Sequence, residues 1–198
     1  LDGCVRSRKT VFDHSHIAPE VTHELGRMPG HYAVVGKFFP NIRPFHIASA
    51  VLSPTQIVHE FIQVINAANY MHFHGWVHGD ISDSNIAWHE NSALLTDLET
   101  AMPIGERAPV LNIREFREAT YYPSIDNKVR SPDTDTFALG IALLRSLAFD
   151  KKKFDRHLKV LEEKSDEQGL FTLTRRVLTE VRLSALIPVV CSMLTESR

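Results

Sequence analysis

VHGDISDSNIAWHENSALLTDLETA, the stretch from Val77 to Ala101, decides how this chain is read. Its opening is turn-like, with DISDSN lacking apolar periodicity. Asn85 to Trp88 and Ala93 to Thr96 then read as the two arms of a hairpin around Glu90-Asn91. Three residues with chemical capacity punctuate the stretch. They are Asp80, Asn85 five positions later, and Asp97 seventeen positions after Asp80. Asp80 and Asn85 are expected on one turn, and Asp97 on the strand that follows.

On the N-terminal side the chain prepares this stretch with a helix. Ser53 is an N-cap, Pro54 fits the first helical position, and Gln56 completes a capping-box pattern. Ile57, Phe61, Val64, Ile65, Ala68 and Met71 recur at helical spacing and form one apolar stripe for the core. Gly75 is the natural stop. Before the helix, His31 to Phe39 (HYAVVGKFF) reads as a strand, broken by Pro40 to Pro44. The first thirty residues are irregular.

On the C-terminal side, Met102 to Val129 shows little regular patterning, a length that in a compact domain is usually functional. Thr134 to Phe149 is almost continuously apolar and predicts a buried helix. Helices are expected near Phe154 to Lys164, Thr172 to Val181 and Ser184 to Leu194. The fold class is therefore α+β, mostly α, with small β elements near the middle.

Composition narrows the function classes. A chain of 198 residues suits one domain with a real core. Its 43% apolar and 23% charged residues are ordinary for a globular protein. A net charge of -2 argues against nucleic-acid binding through bulk charge. Cys4 and Cys191, near opposite ends, suggest reduced thiols in an intracellular protein, cytoplasmic or nuclear. No apolar run approaches the ~18 residues of a membrane span, and the first residues lack a signal peptide's apolar stretch. The chain opens on Leu1 rather than Met, which leaves open a processed or trimmed piece.

Phosphoryl transfer from ATP needs few protein groups. One carboxylate positions the attacking hydroxyl, while a carboxylate and an amide oxygen hold Mg²⁺. Asp80, Asn85 and Asp97 can supply that set. Here His78-x-Asp80-x4-Asn85 resembles the protein-kinase catalytic loop, and Asp97-Leu98-Glu99 sits where that family has Asp-Phe-Gly. Asp135-x-Phe137-x-x-Gly140 resembles the Asp-x-Trp-x-x-Gly that opens the family's buried central helix. HYAVVGKFF falls at the hinge strand, and VVCSMLTESR looks like the closing helix and Arg. The resemblance covers about Tyr32 to Arg198. The Asp-Ile-Ser variant is similar to fungal kinase-like proteins.

The resemblance implies a protein-kinase-like C-lobe at 40–198, preceded at 1–39 by a remnant of the N-lobe that ends in the hinge strand. It implies a catalytic loop at 77–86, an activation segment at 97–124 and a buried central helix at 134–149. Asp80 would orient the substrate hydroxyl and accept its proton. Asn85 and Asp97 would bind Mg²⁺ or Mn²⁺. Backbone groups of Val35, Gly36, Lys37, Phe38 and Phe39 would meet the adenine of ATP. His78, Leu98, Asp135 and Gly140 would be structural supports, with Asp135 tying down the catalytic loop. Thr120 would belong to the substrate platform.

The sequence also departs from the family. Gly79 replaces the Arg that receives an activation-loop phosphate, so that kind of switching is not expected. Ser82 replaces a Lys beside the transferring phosphoryl group. Glu99 replaces a Gly and is either a third metal ligand or a solvent-facing side chain. No Ala-Pro-Glu motif is recognisable near Tyr122 to Ser124, and no glycine-rich loop or strand Lys precedes the hinge. The N-lobe is therefore expected to be truncated, supplied from elsewhere or lost.

The expected activity is that of an atypical ATP- and Mg²⁺-dependent protein kinase acting on Ser/Thr hydroxyls, weak or inactive as this chain. The rivals are a pseudokinase serving as a binding scaffold and a small-molecule phosphotransferase of the aminoglycoside or choline kinase type. A protein substrate or regulatory protein is the expected partner, with no nucleic acid or membrane, and oligomeric state is left open. His72, His74 and His78 invite a zinc reading, but no nearby Cys or acid completes a set. Lys151 to Lys153 reads as a solvated run at a helix end, where cations suit the dipole.

Overall fold

The structure is a computed structural model that describes residues 20–21, 35–36, 42–106, 131–164 and 166–195, without the side chains of residues 20–21, 35–36 and 99. Lys37, Phe38, Phe39, Thr120 and the part of the expected activation segment beyond Glu106 lie outside the described residues. Of the expected hinge strand, Val35–Gly36 is described. This strand (β2) pairs antiparallel with Glu20–Val21 (β1).

Arg43–Pro44 (β3) leads into a short helix, Phe45–Ala48 (α1), and a 3-10 turn over Ser49–Val51. The sequence pattern does not announce either element. They are anchored from below by Phe45, fully buried edge-on against Phe61.

The helix Pro54–Phe73 (α2) begins as its sequence requires. Ser53 Oγ accepts the Gln56 N–H, and the Gln56 side chain accepts the Ser53 N–H in return. Ile57, Phe61, Val64, Ala68 and Met71 form the buried stripe, widened by Ala67. Each large apolar side chain buried in this way contributes roughly 1.5–3 kcal/mol. Gly75 ends the helix with φ +79°.

Trp76–Val77 (β4) follows, then the loop, then the hairpin of Ile86–His89 (β5) and Ser92–Leu95 (β6). Glu90 and Asn91 both have positive φ, the geometry of a two-residue hairpin turn that matches strand twist. One contact ties this hairpin to α2. Glu60 is 8% exposed in the middle of the helix, and its Oε2 accepts the Ala93 N–H at 2.9 Å. Met102–Pro103 (β7) returns to pair antiparallel with β4.

The expected buried helix is Pro132–Leu147 (α3), starting and ending two residues earlier than the apolar run suggests. Pro132 takes the first helical position, and Ala148 turns extended, which stops the helix. α3 crosses α2 and is buried on most sides by Phe137, Ile141, Leu144 and their neighbours. Lys151–Glu163 (α4), Glu167–Glu180 (α5) and Ile187–Met193 (α6) complete the bundle. Asp150 and Asp166 cap the first two of these, accepting from Lys153 and Gly169 at 2.8 Å.

Lys151 corrects the reading of the lysine run. It lies in the first turn of α4, where the helix dipole disfavours a cation, and it is half-buried. Its Nζ donates to the carbonyl of His46 and to Ser49 Oγ, so it straps α4 to the segment before α2.

The domain is α+β and mostly helical, with three small antiparallel sheets among the described residues. Two of them flank the loop after Val77. This is the expected fold class, α+β and mostly α, with small β elements near the middle. No helix among the described residues is long and apolar enough to cross a membrane.

Candidate functional site

The loop between β4 and β5 is held from α3. Asp135, in the first turn of α3, is 1% exposed. Its carboxylate accepts the N–H groups of His78 at 2.8 Å and Gly79 at 2.9 Å, together with His72 Nε2 at 2.9 Å. A buried carboxylate is tolerated when donors surround it in this way. Gly79 has φ +81°, and a Cβ there would stand 3.1 Å from the Thr100 carbonyl. The position thus needs glycine both for its backbone and for the close approach of a second chain segment.

His78 is fully buried and acts as a strut. Its Nδ1 accepts the Asp80 N–H at 3.3 Å, so Nε2 carries the hydrogen and donates to the Thr96 carbonyl at 2.9 Å. Thr100 Oγ1 donates to the His78 carbonyl at 2.9 Å. One imidazole therefore joins the loop to the segment bearing Asp97. Of the other two histidines in the zinc reading, His72 uses Nε2 on Asp135 and His74 uses Nδ1 on the Tyr70 carbonyl.

Asp80 is half-exposed. The Asn85 side-chain amide donates to both its carbonyl and its Oδ2, each at 2.9 Å. This uses the amide hydrogens of Asn85 and leaves Oδ1 to face other partners. Ser82 is 3% exposed, and its Oγ meets Ser84 Oγ at 2.7 Å and accepts the Asn85 N–H at 3.2 Å. Ser82 is thus an internal cap of the turn.

Asn85 and Asp97 stand at the open end of the β5–β6 hairpin. The Asn85 carbonyl accepts both the N–H and the Oγ1 of Thr96, each at 2.9 Å. Asp97 comes next, in the left-handed region at φ 63°, ψ 64°, with its side chain exposed. A non-glycine residue there costs of order 1–3 kcal/mol and persists only when its surroundings fix it. The fixing comes from the 3-10 turn Leu98–Thr100 and from Leu98, which packs against the core. Beyond the turn, β7 pairs with β4, and the Ile104 N–H reaches the Gly75 carbonyl at 2.9 Å.

Gly140 packs α3 against α6, where a Cβ would lie 2.9 Å from Leu194 Cδ2. Asp80, Asn85 and Asp97 are brought to one end of the hairpin. Val35 and Gly36 are described only as the short strand β2. Among the described residues no group of three or more His, Cys, Asp or Glu side chains could hold a metal ion.

One cluster near this loop escapes sequence reading. Asp83, 1% exposed, lies between Asp80 and Asn85, and Arg145 Nη1 donates to both of its oxygens. Arg145 Nε and Nη2 donate to Asp155 Oδ1 at 2.8 Å and Oδ2 at 3.0 Å. The hydrogen bonds to Asp155, and next the Asp83 charge, raise the Arg145 pKa against the cost of its burial. Burial lowers the pKa of Lys151, which Asp83 partly offsets. Asp83 lies 62 residues before Arg145 and Asp155 ten after it, so the cluster carries no local pattern.

No protein-family model matches the chain, and no curated protein matches it. Among solved structures, the chain is similar to the kinase PK-1 of Cydia pomonella granulovirus, with a TM-score of 0.43 and 16% sequence identity. That similarity covers 50% of this chain and 37% of the viral kinase chain, so the match spans little more than a third of its length.

Proposed function

We propose that this chain is the C-lobe of an atypical protein kinase, transferring the γ-phosphoryl group of ATP to Ser/Thr hydroxyls of a protein substrate. The observation that carries the reading is the orientation of Asn85. Its amide hydrogens hold Asp80 in place, and its backbone carbonyl accepts from Thr96, the residue before Asp97, at the open end of the hairpin. Asp80 orients the substrate hydroxyl and accepts its proton as the oxygen attacks the γ-phosphorus. The bond to the bridging oxygen breaks, and ADP carries away the electron pair. Asn85 Oδ1 and the Asp97 carboxylate are hard oxygen donors that suit Mg²⁺ or Mn²⁺. A divalent ion held there would neutralise phosphate charge. Residues Val35 to Phe39 meet the adenine, and Thr120 belongs to the substrate platform.

A second reading is favoured by Ser82. Its hydroxyl is consumed within the turn, and the loop holds its shape without a cation beside the phosphoryl group. A scaffold that binds nucleotide without turnover would need no more than this. ATP consumption with a generic protein substrate separates the readings. The kinase reading expects turnover that Asp80→Asn lowers by roughly a hundredfold or more, the usual scale for removing a positioned base. Nucleotide binding without turnover supports the scaffold. Turnover only with amino-alcohol or aminoglycoside acceptors supports a small-molecule phosphotransferase.

A further inference from the structure

We infer that Arg145 is a positioning residue for the loop from Asp80 to Asn85, acting through Asp83. The inference rests on the phosphotransfer reading for its purpose, but its geometry stands apart from it. The N-terminal part of the loop is secured by Asp135, which holds the N–H groups of His78 and Gly79. Those bonds end before Asp80. Beyond it, Asn85 and Ser82 make bonds within the loop itself. Asp83 is the residue between them whose side chain leaves the loop for the helical bundle, and Arg145 receives it.

Arg145 and Asp135 both belong to α3, ten residues apart, so one helix grips the loop at two points about 15 Å apart along its axis. Arg145 is itself oriented by Asp155 of α4, which fixes the plane of the guanidinium. Ile81, buried between the two grips, fills the gap against the bundle. The charges balance locally, with Arg145 and Lys151 facing Asp83 and Asp155. A neutral cluster of this kind does not attract an anionic ligand. Its work is to fix geometry, and removing one partner strands a buried charge.

The test compares hydrogen exchange of the loop amides in the 198-residue chain, wild type against Asp83→Asn, Arg145→Met and Asp155→Asn. Amides of α5 serve as the internal reference. Asp83→Asn and Arg145→Met are expected to speed exchange at residues 80–86 about tenfold relative to that reference. Asp155→Asn leaves the Arg145–Asp83 contact in place and is expected to change the loop about threefold or less. Unchanged loop exchange in Asp83→Asn overturns the assignment, and that variant decides alone if Arg145→Met does not fold. Equal loosening by Asp155→Asn also overturns it, because the pair would then be a general strap.

Mn²⁺ affinity in the presence of ATP, read by electron paramagnetic resonance, is the second readout. Asp83→Asn is expected to weaken it about tenfold, the equivalent of ~1.4 kcal/mol. A loosened loop with unchanged Mn²⁺ affinity overturns the positioning role. Wild-type protein that binds no Mn²⁺ with ATP sinks the phosphotransfer reading instead, and the exchange result still shows whether Arg145 holds the loop.

Discussion

Asp135 and Gly79 are 56 residues apart in the chain, yet the Asp135 carboxylate accepts the Gly79 N–H at 2.9 Å. Acidic residues in a helix's first turn commonly serve the helix dipole. Asp135 is turned away from that task and aimed at a neighbouring backbone, with its other oxygen on His78 and His72. The start of the buried helix is thereby the floor of the candidate site.

Replacing Asp135 by Ala leaves two buried N–H groups without this acceptor. At about 1–3 kcal/mol for each unsatisfied group, a loss of roughly 2–6 kcal/mol is expected. Asp135→Asn keeps one oxygen and is expected to lose less. Urea denaturation of both variants measures this, and an unchanged midpoint for Asp135→Ala would show that the loop stands without it.

Gly79→Ala combines a left-handed backbone with a 3.1 Å approach to the Thr100 carbonyl. A cost of about 1–3 kcal/mol is expected from the backbone conformation alone. The same geometry explains why a long side chain at this position would need the Leu98–Thr100 turn to withdraw. Thermal melting checks the size of the effect. A stability equal to wild type would mean that the turn yields freely.

Asp97→Asn is expected to weaken Mn²⁺ binding in the presence of ATP by at least about tenfold, or ~1.4 kcal/mol. Asp97 is exposed and forms no part of the core, so the fold should persist, as circular dichroism can verify. Retained metal binding would remove Asp97 from the ligand set.

Lys151 gives a pH-dependent expectation. Burial lowers its pKa below the ordinary value of 10.5, so the unfolded chain binds this proton more tightly. Stability from this group therefore rises with pH across the interval between the lowered value and 10.5. Lys151→Met should flatten that rise when chemical denaturation is compared at neutral and alkaline pH. Parallel curves for the two proteins would count against the assignment.

The parts legible in the sequence are those governed by neighbours in the chain. Ser53, Pro54 and Gln56 announce the start of α2, and Glu90-Asn91 announces the hairpin turn, because caps and turns are local chemistry. Loop, hairpin and spacing bring Asp80, Asn85 and Asp97 to one end, but Asp97, expected on the strand, follows it in a left-handed turn that no local pattern announces. What stayed hidden depends on distant partners. Nothing near Glu60 says that its carboxylate meets Ala93, and nothing near Arg145 points to Asp83. Lys151 looked solvated because the carbonyl of His46, which it contacts, comes from a short helix with no periodic signal. The start of α3 was read late because Pro132 and Asp133 are polar or helix-breaking in composition, yet both suit a first turn.

The pairing of β4 with β7 has a mechanical consequence. With the Ile104 N–H on the Gly75 carbonyl, the chain leaves the site beside the point where it entered. A pull on the backbone beyond Glu106 would load this ladder in tension before any force reached Asp97. The pairing of β4 with β7 thus closes the stretch that holds Asp80, Asn85 and Asp97 into a loop of chain, with its two ends tied to each other.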